Sequence, residues 1–151
     1  MKKPFTLLCG TIALICLVSM FMPIVAPRYS AQFYHPSGDY TRDYFFDEDY
    51  YCAREYWSIS RFALSNSGHM QHIALSAAMA LMLYWSTLCF MGENSLLAGR
   101  IASILNLGVT GWFVVKMLGM SGGCRPVVIA VILIDAATAV VCALLASPGK
   151  K

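Results

Sequence analysis

PVVIAVILIDAATAVVCALLA occupies residues 126–146. A helix needs about 20 predominantly apolar residues to cross a bilayer. This run meets that length with one Asp, Glu, Lys, Arg or His, namely Asp135. Read as a span, it makes the chain a membrane protein, and the composition agrees. Of 151 residues, 58% are hydrophobic and 13% charged. Soluble domains carry about 25% charged residues.

Three more runs have the same character: residues 4–27, 72–92 and 96–120. The last carries Arg100 near its start and Lys116 near its end. Alternation is absent, so the runs read as helices rather than barrel strands. The expected fold class is an all-α integral membrane protein, one domain over residues 1–151. It is a four-transmembrane-helix bundle with a partly helical extracytoplasmic cap in the first outer loop, residues 28–68. The first run opens with Lys2 and Lys3, as a secretory signal would, but it exceeds the 7–15 residues of a signal core. It reads as an uncleaved anchor.

Basic residues set orientation. Lys2, Lys3, Arg100, Lys150 and Lys151 crowd into two short tails and one short loop. The other side holds nearly as many, Arg28, Arg42, Arg54, Arg61, Lys116 and Arg125, so counting decides nothing, but the first four are spread over a long loop rich in acids. That density places both termini in the cytoplasm of a multi-pass protein of the plasma or cytoplasmic membrane.

The long loop contains YTRDYFFDEDYYCAREYW, residues 40–57. So many aromatics argue against disorder. Phe46, Tyr50, Ala53, Trp57 and Leu64 fall on one helical face, with Asp47 as a cap and SNSG as a stop. The segment reads as a cap lying on the bundle. Alternatively, Tyr44, Phe46, Tyr50, Tyr51 and Trp57 form a docking surface, because Tyr and Trp are favoured anchors. The spacing of DED does not fit an EF-hand loop.

Cys52 in this loop and Cys124 in the turn between the last two spans fall on the same outer side. In an oxidising compartment they are expected to pair. Cys9, Cys16, Cys89 and Cys142 lie in or near apolar runs and read as small apolar residues. No CxxC occurs, which excludes zinc-ribbon and thioredoxin chemistry. The order of Cys52 and Trp57 also departs from the W–GLW–C–C loop of claudin-like chains.

Asp135 lies nine residues after Pro126, about 14 Å along a helix and close to the bilayer midplane. An Asp there costs about 2.5–3.5 kcal/mol on insertion scales, so it needs a protein or water partner. Asn106 lies at similar depth on an antiparallel span, on one face with Gly99, Ala102, Ser103 and Thr110. Small residues allow close helix approach. The expected arrangement is an intramembrane pair, a neutral Asp135 donating to the Asn106 amide oxygen, with Thr138 nearby. Proton or cation coupling through Asp135, or a contact from it to a partner's helix, are the other readings.

His69, His72, Met117 and Met120 collect at one membrane face. They are donors copper accepts, although Met as gap-filler and His at an interface account for them better. No metal signature, cofactor motif, Walker loop or catalytic triad occurs, and no basic cluster suits nucleic acid. Two functions remain. One is a non-enzymatic subunit or scaffold that binds another membrane protein, or itself, through its cap or spans. The other is a small proton/cation-coupled or metal transporter component using Asp135.

Overall fold

The computed structural model describes residues 3–27, 56–65, 69–93 and 95–146. Among these residues five helices and two short strands follow in order: α1 (Lys3–Ser19), β1 (Val25–Pro27), α2 (Ile59–Ser65), α3 (His69–Phe90), α4 (Leu96–Gly119), β2 (Ser121–Cys124) and α5 (Pro126–Leu145). Helices α1, α3, α4 and α5 form a ring in which each packs on the next and α5 returns to α1.

Among the described residues, three helices are long and apolar enough to cross a membrane: α3, α4 and α5. Their outward faces carry Leu83, Ile101, Ile104, Val115, Ile134 and Val141, each at least 42% exposed. A belt of that kind is a liability in water and ordinary in lipid.

The first expected span is shorter than its apolar run. Helix α1 has 17 residues, about 26 Å at 1.5 Å per residue, against a hydrocarbon core of about 30 Å. Pro23 has no N–H to continue a helix. Phe21 and Met22 turn back to the Val18 and Ser19 carbonyls at 3.0 and 3.1 Å, and the chain leaves as β1.

β1 and β2 pair antiparallel, with Val25 opposite Cys124. This small sheet was not expected from the apolar pattern. Trp57 adds a bridge on the other side of Val25, donating to the Val25 carbonyl at 2.7 Å and accepting from Ile24 N–H at 3.0 Å. The helix expected to run through Trp57 is therefore interrupted there. Helix α2 begins only at Ile59, capped by Ser58, whose Oγ accepts from Arg61 N–H at 3.2 Å. A Ser in extended backbone before a helix commonly satisfies an orphan N–H in this way. The remainder of the expected cap, residues 28–55, lies outside the described residues.

At the opposite end, α3 and α4 are joined tightly. Gly92 adopts φ 85°, donating to Cys89 while Glu93 donates to Leu88. This 5→2 and 6→1 pair closes the last α3 carbonyls and favours Gly at the left-handed position.

The core has two parts. Toward the sheet, Met20, Ile24, Ile59, Phe62, Phe113 and Met117 interlock, with Phe62 edge-on to Phe113 at 6.2 Å. Toward the α3–α4 turn, Cys9, Ala13, Ala102, Ala139 and Ala143 surround a fully buried Trp85. Lipid tails are as apolar as Leu, so close packing rather than water exclusion holds such helices together.

Candidate functional site

Asp135 sits midway along α5. Its neighbours Ile132, Ala136 and Ala139 form the buried stripe of that helix, and Asp135 lies at the stripe's edge, half-buried. It opens onto a groove of about 410 Å³ between α1 and α5, walled by Leu14, Ile15, Val18, Met22 and Val131. Among the described residues no hydrogen bond or ion pair reaches its carboxyl.

Asn106 has a different setting. The face predicted for α4 is buried as expected: Gly99, Ala102, Ser103, Asn106 and Thr110 all point inward. The expected bond from Asp135 does not form, because Asn106 Oδ1 is buried without a hydrogen-bond partner. Helix α5 contacts both α4 and α1, and its rotation turns Asp135 to the α1 side. Thr138 does not join either residue. It donates to its own helix at Ile134 O, 2.7 Å away, a common way to satisfy a hydroxyl in a span.

A second groove, of about 660 Å³, lies between α3 and α4 on the far side of the ring. Gln71, Ala74, Leu105, Gly108 and Trp112 line it, and Gln71 Oε1 is buried without a partner. Both grooves lie in the half of the ring nearer the sheet. In the other half Gly10 and Gly99 bring helices together. A Cβ on Gly99 would lie 2.7 Å from Trp85 Nε1, and one on Gly10 would lie 3.0 Å from Cys89 Cβ. Ser86 Oγ donates across the gap to Gly10 O at 2.9 Å.

The remaining sequence candidates are dispersed. Cys124 is exposed and its thiol is free. Its expected mate Cys52 lies outside the described residues, and no described cysteine pair stands at disulfide distance. Tyr44, Phe46, Tyr50 and Tyr51 also lie outside the described residues. Trp57 is half-buried against the sheet-side core, with Arg61 stacked 5.3 Å from its ring. Arg125 stacks similarly on Tyr56, at 4.2 Å, which ties residues 56–57 to the start of α5.

Of the soft donors, Met117 is buried in the core and Met120 is exposed. His72 is half-buried, and the side chain of His69 lies outside the description. No metal-binding cluster of three His, Cys, Asp or Glu occurs among the described residues.

Sequence reasoning singled out Asp135 and Asn106 by their depth, but missed Gln71 and both grooves. Gln71 gives a weak signal, since an amide three residues into an apolar helix is ordinary at an interface. No family model, curated protein or solved structure matches the chain.

Proposed function

We propose that the chain is a non-enzymatic membrane subunit or scaffold whose spans bind another membrane protein at the α1–α5 groove. One observation carries this reading. Among the described residues a carboxyl at mid-depth has no hydrogen-bond or ion-pair partner, and it opens sideways onto the ring's outer surface. Polar groups in hydrocarbon pair with protein or water. A neighbouring helix bearing a basic residue or another donor at that depth would satisfy Asp135, and the apolar walls would take its flanking side chains.

In this reading α1 is a fourth span and both tails are cytoplasmic. Its outward residues Leu7 and Leu8, outside the groove, are 46% and 50% exposed, as lipid-facing residues would be. The short helix is accommodated by local bilayer thinning or by snorkelling at its ends. The cap contributes a second contact through Tyr44, Phe46, Tyr50 and Tyr51.

The same unpaired carboxyl also favours a proton- or cation-coupled transporter component. Two substitutions separate the readings. In gentle detergent at native expression, the chain should retain a stoichiometric membrane protein. Asp135→Leu should reduce that recovery at least tenfold, a loss of about 1.4 kcal/mol, while Asp135→Asn keeps an acceptor and retains it. A transporter component would lose ion flux in Asp135→Asn with expression unchanged. Recovery of the chain alone, insensitive to Asp135→Leu, would refute the subunit reading.

A further inference from the structure

The α3–α4 groove is apolar along its walls but not at its sheet end. Ala74, Leu105 and Val109 line the walls. Gly108 leaves one wall open, since a Cβ there would meet nothing within 4 Å. At about 660 Å³ the groove has the size of a small-molecule site, about 300–1,000 Å³. At the sheet end stands Gln71, whose buried Oε1 lacks a donor. An orphaned acceptor is costly until a donor meets it. Trp112 lines the groove near the same end. One turn further along α4 the exposed Lys116 places its Nζ 5.8 Å from the Trp112 ring centroid. Neither α3 nor α4 contains an acidic residue, so no carboxylate on either helix neutralises that charge.

We propose that this groove holds an acyl chain of an anionic phospholipid, with the phosphate on Lys116 and a headgroup hydroxyl donating to Gln71 Oε1. Each part matches one portion of such a lipid: apolar walls for the tail, a cation for the phosphate and an acceptor for the hydroxyl. A cation at the mouth of an interhelical groove attracts a lipid phosphate at short range on either membrane face, and Trp beside Lys is the pairing expected at a membrane interface. A second copy fits less well. Isologous pairing about an axis along the membrane normal would put two Lys116 charges at the same depth on one interface.

The test follows thermal unfolding of the full chain in mild detergent, doped with dioleoylphosphatidylglycerol or dioleoylphosphatidylcholine. The glycerol lipid should raise the midpoint by about 5 °C and the choline lipid should not. Gly108→Leu fills the groove from a position with open space, and should abolish the rise. Lys116→Gln leaves the groove intact and should abolish the preference between the lipids, which keeps the proposal testable if Gly108→Leu does not fold. An equal rise in Gly108→Leu would mean that surface charge alone attracts the lipid, and would overturn the proposal. No rise in the wild type, or equal rises with both lipids, would overturn it as well. So would a dimer that Gly108→Leu converts to monomer, because the occupant would then be a second copy.

Discussion

The two halves of the helical ring are built on opposite terms. Near the α3–α4 turn, small residues let backbones approach, Trp85 fills the remaining space, and Ser86 bonds across to Gly10. Near the sheet, larger side chains such as Phe62, Phe113 and Met117 make up the core, and two grooves open on opposite sides. Among the described residues, Trp57 Nε1, Gln71 Oε1 and Asn106 Oδ1 are buried without a hydrogen-bond partner and the Asp135 carboxyl has none, and all four side chains lie on the sheet side of the ring or at its middle. Among the described residues the unmatched polar groups are confined to the open half and the middle of the ring, and that is where function should be sought.

The largest expected effect belongs to the closed half. Trp85→Ala should cost about 3–5 kcal/mol, as buried aromatic truncations do, read as a collapse of the thermal midpoint in detergent. A small loss would mean that the closed half is looser than its packing implies.

Glycines sharpen the contrast. Gly99→Ala forces a Cβ onto Trp85 and should cost about 1–3 kcal/mol, as overpacking does. Gly108→Ala and Gly111→Ala meet open space and should be neutral or stabilising by up to about 1 kcal/mol through helix propensity. Equal effects at all three positions would erase the distinction between the halves.

Asn106 offers a change of opposite sign. Its buried Oδ1 has no partner, and such an atom costs about 1–3 kcal/mol. Asn106→Leu, close in volume, should therefore raise the midpoint. A fall would mean that Asn106 makes a bond in the membrane that the isolated chain lacks.

The smallest effect is expected at Ser86. Interhelical hydrogen bonds in membranes average about 0.6 kcal/mol, so Ser86→Ala should lower stability by about that amount.

Much of this architecture was legible in the sequence, for identifiable reasons. Helices α3, α4 and α5 begin and end within a few residues of their apolar runs, because Gly92, Gly119 and Pro126 mark the boundaries as sharply in sequence as in space. The first run misled because residues 20–27 are as apolar as a span, yet Pro23 and pairing with β2 draw them into a sheet. A three-residue strand has no periodicity to announce it. The depth of Asp135 was readable from its distance along α5. Its direction was not. A helix packed on two neighbours has two interior edges, and only its rotation decides whether Asp135 meets Asn106 on α4 or opens toward α1. Conversely, the inward face of α4 was legible because Gly99, Ala102, Ser103 and Thr110 mark it with small side chains.

The most direct test of the central claim is site-specific photocrosslinking from position 131 in native membranes. Val131 lines the Asp135 groove and is 42% exposed, so a photoreactive residue there samples whatever occupies it. One protein adduct is expected, mapped to a spanning helix with a basic or hydrogen-bond-donating residue near the crosslink, and lost in Asp135→Leu. Adducts with lipid alone, identical in wild type and Asp135→Leu, would contradict it.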